Sequence, residues 1–435
     1  RGRSTGVVPP SPPPVVVPDA LDLVIDEPKD GALFTGDSVK VRGRAKGAAT
    51  VEVGSVKAKP ADADGAFELS VSAEGAETAL ALPIVAILGG KRIEKMRTVY
   101  RPPSWFAELP DTERPPLPLP KGLTFGARPL EYVNKKDESV LVWAPPTRFL
   151  MGGPEANEHA PPGKKQVEHE VELSGYFIGK FEVSVAQFEK FSKEARSRTA
   201  IEQKKTFGLN FWAFEGNLML SPEQDRGINW RYPQRPEKGN EADPEHPVVL
   251  ITPDDADSYC KWAGLKLPTE AQWERAAGWE ARTGKSRRYP WGDGPASGEG
   301  VVHAADAGFV KRIGLKVKDP QFPEGTRVEA PYALPVTANE KGASPIGALN
   351  MAGNVAEWCR DALDADFYVE CSRKVMKDPC LPGASTRRVH RGGHFASLAA
   401  EVQTKRRFYT MPSMNLAYRY PCDCIGFRVC RELGD

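Results

Sequence analysis

Short runs of alternating apolar and polar residues dominate positions 19–100 of the chain. Turn residues separate these runs, which lie at 21–25, 39–42, 51–53, 67–71, 79–82, 85–88 and 97–100. A repeat of roughly 8–12 residues between such runs is typical of short antiparallel strands. The pattern therefore predicts an all-β sandwich over residues 19–100.

From residue 122 onward the pattern changes to separate helices within long Gly- and Pro-rich stretches. Ser184 with Gln187 three positions later has the spacing of a capping box, and Thr252 and Thr269 precede two further helices. The apolar positions of the second and third helices fall on one face: Ala256, Tyr259, Cys260 and Ala263, then Trp273, Ala276 and Ala277. Residues 122–435 are therefore interpreted as one irregular α+β domain.

Two Pro-rich segments, 1–18 and 101–121, bound these regions. Proline fixes φ and removes a backbone donor, so both segments are expected to be extended linkers. Recognition of the first segment by a proline-binding domain is an open alternative.

Composition narrows the possible partners. The net charge is +1 with 27% charged residues, which argues against nucleic acid or an anionic membrane surface as a partner. No apolar run approaches the ~20 residues that span a bilayer, and the first residues lack the apolar core of a signal peptide. Forty Gly and forty Pro indicate a loop-rich protein. Seven cysteines are too few for a disulfide scaffold and do not fix the redox compartment.

Residues 350–357 carry the ligand types of a hard cation. Asn350 offers an amide oxygen, Gly353 and Val355 offer backbone carbonyls, and Glu357 offers a carboxylate. Oxygen ligands on a tight loop that contains glycine suit calcium. The alternative is a capped turn in which Glu357 accepts from backbone N–H groups. The sequence shows no zinc-type histidine pair, phosphate loop, nucleophile elbow or kinase motif.

A series of motifs in the second half of the chain carries a family resemblance. In order, they are Val140-Leu-Val-Trp143, Phe149-Leu-Met-Gly-Gly153, His246-Pro-Val-Val249, Leu267-Pro-Thr-Glu-Ala-Gln-Trp-Glu274, Tyr289-Pro-Trp-Gly-Asp293, Asn350-Met-Ala-Gly-Asn-Val-Ala-Glu-Trp358, Arg391-Gly-Gly393 and Gly426-Phe-Arg428. Together they resemble the formylglycine-generating enzyme (sulfatase-modifying factor) family. The resemblance implies a C-type-lectin-like α+β fold, while the N-terminal strands resemble bacterial immunoglobulin-like modules.

The resemblance also implies where the chemistry would lie. The family's enzymes hold copper(I) with two cysteines five positions apart; Cys422 matches the second, and Ala417 stands at the first. Cys424 is a candidate substitute ligand, so Cys422 is the candidate catalytic residue and Cys422 with Cys424 the candidate copper pair. The alternatives are that Cys422 is a free thiol beside an apolar Cys424, or that Cys422 forms a disulfide. Because Ala417 has no donor atom, copper is not expected as a cofactor.

The family positions imply further sites. Residues 350–357 match a structural calcium site, and a second calcium site would fall on Asp306, the Ala307 carbonyl and Asp319. Cys260 matches a cysteine that pairs with the C-terminal strand, where Cys430 is the candidate partner. Independently of the resemblance, Cys371 and Cys380 could close the loop between them, and Cys359 is interpreted as core.

The resulting hypothesis is a non-catalytic, ligand- or protein-binding sensory domain. A peptide or small molecule would occupy the former active-site groove, and the domain would lie outside the cytoplasm. The resemblance implies one such setting, the ectodomain of a bacterial serine/threonine kinase. The alternatives are a copper-dependent oxidase that converts a substrate cysteine to formylglycine, and a structural or assembly component. Neither nucleic-acid binding nor membrane insertion of this chain is expected.

Overall fold

In a computed structural model of the protein, the described residues are 21–76, 78–153, 168–214, 217–223, 227–233, 238–294, 296, 300–304, 333–362, 364–382, 388–407 and 421–434. They divide into two compact units. The first runs to Ala107 and takes in Pro116–Leu119; the second comprises Glu108–Pro115 and the chain from Pro120 onward. Among these residues, no helix combines the length and apolar character that crossing a membrane requires.

The first unit consists of antiparallel strands in two sheets. The strands are β1 (Val24–Glu27), β2 (Ser38–Arg44), β3 (Thr50–Val53), β4 (Val56–Ala58), β5 (Ala66–Ser72), β6 (Ala79–Leu88) and β7 (Lys91–Tyr100). One sheet has the order β1-β2-β5 and the other β4-β3-β6-β7. Val41 and Leu69 of the first sheet and Val51 and Ile84 of the second belong to one buried core. The immunoglobulin-like assignment stays a prediction.

The Pro-rich segment 101–121 is more than a spacer. It contains a short helix, α1 (Ser104–Glu108), and a 3-10 turn at Asp111–Glu113. Phe106 and Leu119 are buried, and the Leu119 N–H donates to the Tyr100 hydroxyl at 2.9 Å. Part of this segment is therefore packed with the strands that precede it.

The second unit combines small sheets with a few helices. The strands are β8 (Leu123–Phe125), β9 (Glu131–Asn134), β10 (Val140–Ala144), β11 (Thr147–Met151), β12 (His169–Leu173), β13 (Tyr176–Gly179), β14 (Gly208–Phe214), β15 (Asn217–Glu223), β16 (Trp279–Glu280), β17 (Lys285–Ser286), β18 (Ala356–Ala362), β19 (Met376–Lys377), β20 (Arg388–Arg391), β21 (Ile425–Gly426) and β22 (Cys430–Glu432). The helices are α2 (Val185–Glu194), α3 (Pro253–Ala263), α4 (Glu270–Gly278) and α5 (Ala365–Cys371). This is a mixed α+β unit in which strands predominate.

Two sheets of the second unit determine where its C-terminal residues lie. The first has the order β22-β13-β10-β9-β8, and the second has β18 between β20 and β21. Glu357 in β18 stands opposite Arg391 on one side and beside Gly426 on the other. The end of the chain is thereby paired with segments far from it in sequence, and Arg428 follows within two residues of β21.

The helix starts confirm the predictions made from local sequence. Ser184, Thr252 and Thr269 each accept a hydrogen bond from the backbone N–H three residues later, and each cap is a complete capping box. Gly264 ends α3 in the left-handed region, at φ 70°. The predicted apolar faces of α3 and α4 are buried, and Cys359 belongs to the core around Trp273, as predicted.

Candidate functional site

The candidate copper cysteines lie on a tight turn just before β21. The Ile425 N–H donates to the Cys422 carbonyl at 3.2 Å, which closes the turn. The sulfurs of Cys422 and Cys424 are 2.8 Å apart, and the Cys422 sulfur lies 3.4 Å from Asp423 Oδ1. Both cysteines are buried, with 0% and 2% of their surfaces exposed. The structure thus brings together the two thiols that the sequence singled out, with a carboxylate beside them.

Backbone hydrogen bonds hold this turn from three sides. The Leu250 N–H donates to the Cys422 carbonyl, the Asp423 N–H donates to Leu209, and the Ala356 N–H donates to the Cys424 carbonyl, at 2.9–3.0 Å. Three separate segments therefore fix the backbone of the turn that carries both thiols.

The Cys422–Cys424 pair does not fit linear copper(I) as it stands. Two metal–thiolate bonds in a line place the sulfurs about 4–4.5 Å apart, well beyond the observed 2.8 Å. Burial also raises the pKa of the Cys422 thiol well above its ordinary value, and burial raises the pKa of Cys424. The neutral thiol, which is the poorer ligand, is favoured at both positions. Position 417 lies outside the described residues.

All seven cysteines are free thiols in this structure. The predicted Cys260–Cys430 and Cys371–Cys380 disulfides are therefore not formed. The Cys430 thiol is directed at Gln272 Oε1, 3.6 Å away, and burial raises the pKa of Cys260 well above its ordinary value. Cys371 is buried at the end of α5, whereas Cys380 is partly exposed.

Residues 350–357 form the tight loop that their composition predicts. Asn350, Gly353 and Asn354 have φ of 54°, 75° and 57°. A Cβ atom on Gly353 would lie 2.3 Å from the His303 carbonyl oxygen, so only glycine fits there. The loop therefore has a specific backbone that directs its polar side chains inward.

Those side chains meet a carboxylate that sequence reasoning did not single out. Asn350 Nδ2 and Asn354 Nδ2 donate to the two oxygens of Glu182, at 3.0 and 2.9 Å. Asn350 Oδ1 accepts from Asn339 Nδ2 at 2.9 Å. Burial, opposed by Arg428 and reinforced by Glu357, raises the pKa of Glu182 to about 7. Glu182 lies in the segment Phe177-Ile-Gly-Lys-Phe-Glu-Val183, and nothing local in this segment marks a partner so distant in sequence.

Glu357 is held by an arginine. Its oxygens accept from Arg428 Nε at 2.6 Å, Arg428 Nη2 at 2.5 Å and Trp273 Nε1 at 2.8 Å. The alternative in which Glu357 caps backbone N–H groups is therefore not the arrangement that the structure shows.

The side-chain oxygens of the predicted calcium set are thus already engaged. Asn350 Oδ1 receives an amide N–H, and the Glu357 charge is balanced by the Arg428 guanidinium. These oxygens do not fit a calcium ion without rearrangement, because a cation would have to displace Arg428. Calcium binding by Asn350, Gly353, Val355 and Glu357 is the prediction from the sequence alone, and the contacts of Asn350 and Glu357 argue against it. The second set, Asp306, Ala307 and Asp319, lies outside the described residues.

A cavity of about 310 Å³ opens between the start of α2 and the turn that joins β9 to β10. Asp137, Glu138, Glu182 and Lys190 are among its lining residues, and neither Cys422 nor Cys424 is. Lys190 Nζ pairs with Glu138 Oε1 at 2.9 Å, while the Asp137 carboxylate accepts from the Tyr259 hydroxyl at 2.6 Å. Asp137 and Glu182 are both buried acids of this cavity, and the Glu182 oxygens accept from the side-chain amides of Asn350 and Asn354.

Comparison with known proteins agrees with the motif series. The model of the sulfatase-modifying factor enzyme 1-like domain matches residues 128–433, most of the chain. The protein therefore belongs to this family.

Its relatives differ in activity. The chain is 31% identical over 268 residues to the formylglycine-generating enzyme of Thermomonospora curvata, covering 59% of this chain and 82% of that one. It is 30% identical over 272 residues to the hercynine oxygenase of Mycolicibacterium thermoresistibile, covering 61% and 53%. A serine/threonine-protein kinase, pkn1 of Chlamydia pneumoniae, is 32% identical over 179 residues, covering 41% and 24%. Family membership therefore leaves the chemistry to be argued from the site.

Proposed function

We propose that this domain binds a ligand without catalysing a reaction. The observation that carries the proposal is the Cys422–Cys424 pair, whose sulfurs are 2.8 Å apart and buried, with Ala417 at the other copper position. A copper oxidase needs two thiolates that can span the metal. Here Ala417 replaces one of the family's two copper-binding cysteines. The sulfur of the candidate substitute, Cys424, lies too close to that of Cys422 for a copper ion to fit between them in a line.

The ligand proposed for the domain is a peptide or a small molecule. Glu182 supports binding in the cavity described above, because it is a buried acid whose pKa of about 7 lies close to neutral pH. An amine placed against Glu182 would favour the ionised carboxylate and gain a charge-assisted hydrogen bond. Lys190 and Glu138 also line this cavity and provide a positive and a negative charge for the rest of the ligand. Binding in the groove beside Cys422 stays a prediction.

A binding experiment tests the ligand proposal. Calorimetry would compare short peptides that have a free amino terminus with their N-acetylated counterparts. Glu182→Gln should weaken binding of the free amine by about tenfold or more, equivalent to about 1.4 kcal/mol. Glu189→Gln is the matched control, because this residue lies on α2 outside the lining of the cavity. Equal affinity for free and acetylated peptides would contradict the role given to Glu182.

The proposed setting is a sensory domain outside the cytoplasm. The likeness to the Chlamydia pneumoniae kinase, of which the matched part covers 24%, supports the signalling role alone; the location outside the cytoplasm stays a prediction. Expression of the full-length gene product followed by protease accessibility in intact cells would test the location.

A copper-dependent oxidase is the second candidate. It is favoured by the convergence of Cys422, Asp423 and Cys424, whose ligand atoms lie within 4.8 Å of one another. Incubation with copper(I), dioxygen and a Cys-x-Pro-x-Arg peptide distinguishes the two proposals. Formation of formylglycine, lost in Cys422→Ser, would establish the oxidase and overturn the non-catalytic assignment.

A further inference from the structure

The separation of the Cys422 and Cys424 sulfurs points to a covalent modification. Carbon atoms in contact are about 3.5–4.0 Å apart, and sulfur is a larger atom than carbon, yet these two sulfurs are 2.8 Å apart. A disulfide bond of about 2.05 Å requires them to close by about 0.8 Å. A linear metal site requires them to open by more than about 1 Å. The two sulfurs therefore have to move less to form a disulfide than to bind a metal in a line.

The backbone favours the same outcome. In an extended strand, residues i and i+2 lie about 6.6 Å apart at Cα, but here the Cys422 carbonyl accepts from Ile425 and the chain turns. Leu250 and Ala356 hold the carbonyls of the two cysteines by backbone hydrogen bonds. The turn is therefore fixed with both thiols on the same side, which is the prerequisite for a ring closed across one intervening residue.

We propose that Cys422 and Cys424 are an oxidation site that forms a disulfide across Asp423. Formation breaks two S–H bonds, makes one S–S bond and releases two protons and two electrons. A low-molecular-weight disulfide such as oxidised glutathione accepts them and is reduced to two thiols. Because both sulfurs are buried in the folded chain, exchange is fastest when the turn is exposed, and the folded protein then shields the bond from reductants. This inference does not depend on the ligand-binding proposal.

Tryptic mapping tests the disulfide directly. Cleavage after Arg419 and Arg428 releases residues 420–428, which contain Cys422 and Cys424 and no other cysteine. The full chain would be refolded from denaturant in glutathione buffers of increasing oxidising strength, alkylated without reduction and digested. We expect the peptide to lose two hydrogens and to escape alkylation, and the folded chain to carry two fewer free thiols than the reduced chain.

Variants locate the bond. Cys424→Ser should abolish the two-hydrogen loss and leave Cys422 alkylated or joined to glutathione. Cys380→Ser, which removes a cysteine outside the 420–428 peptide, should leave the result unchanged. A doubly alkylated peptide at every buffer composition, or glutathione on both cysteines, would overturn the proposal. If a serine variant fails to fold, the mass of the wild-type 420–428 peptide still shows whether the disulfide forms. Absence of the disulfide would not change the interpretation of the ligand-binding experiments.

Discussion

Removal of the Arg428 guanidinium should be among the most destabilising single changes in the second unit. Arg428 is fully buried, and its Nη1 and Nη2 also reach the carbonyls of Gly179 and Leu349, each at 2.8 Å. Arg428→Met would leave the Glu357 carboxylate buried without its cation. Breaking one side of such a pair costs about 3–5 kcal/mol, a large share of the about 5–15 kcal/mol that stabilises a typical domain.

A double-mutant cycle isolates the pair. Glu357→Leu alone should also destabilise the second unit, because it removes the carboxylate that pairs with Arg428. The double variant, Arg428→Met with Glu357→Leu, removes both charges of the pair. We expect the double variant to be at least about 2 kcal/mol more stable than the sum of the single losses predicts.

Guanidinium chloride unfolding followed by tryptophan fluorescence is the assay. Every tryptophan except Trp105 lies in the second unit, so the signal reports mainly on that unit. Arg428→Lys, which keeps a charge but loses the paired geometry, should fall between wild type and Arg428→Met. Strictly additive losses, or a loss below about 1 kcal/mol for Arg428→Met, would refute the reasoning.

Three further predictions follow from the same region. In the folded state the pKa of Glu182 is about 7, above its ordinary value of 4.5, so the folded state binds this proton more tightly than the unfolded state. The free energy of unfolding should therefore fall as the pH rises from about 4.5 to 7, and wild type should lose on the order of 3 kcal/mol more than Glu182→Gln. Equal pH slopes of the two unfolding free energies would contradict this. Gly353→Ala should lower the free energy of unfolding, measured with denaturant, by at least about 2 kcal/mol, because its Cβ would meet the His303 carbonyl. The control Gly347→Ala, at φ 83° with open space around it, should lower it by about 1 kcal/mol. Calcium chelation should shift the melting temperature by less than about 2 °C, since Asn350 and Glu357 are already engaged; a shift of many degrees, reversed by calcium, would show that the ion binds.

Features that depend on neighbouring residues could be predicted from the sequence. The caps at Ser184, Thr252 and Thr269 require only a side chain and an N–H three residues away, and all three formed. Residues 79–82 and 85–88 were expected as two separate short strands. They form the single strand β6, since Pro83 lies just past the residues that pair with β3, where its missing N–H costs no hydrogen bond to that strand.

Features built across long sequence separations could not be predicted. Glu182 meets Asn350 and Asn354 from 168 and 172 positions away. Glu357 was interpreted as a calcium ligand or a cap because its principal partner, Arg428, is 71 positions distant. Cys422 and Cys424 lie on a turn that is closed by Ile425 and held by Leu250 and Ala356, which are distant in sequence, and their sulfurs are 2.8 Å apart.

The measurement that most directly tests the non-catalytic assignment is anaerobic titration of the fully reduced protein with copper(I), alongside Cys422→Ser. Copper retained after desalting would be counted per chain by elemental analysis. Because the sulfurs of Cys422 and Cys424 are too close to span the metal, we predict no difference between wild type and the variant. One tightly held copper per wild-type chain, absent from Cys422→Ser, would contradict the assignment.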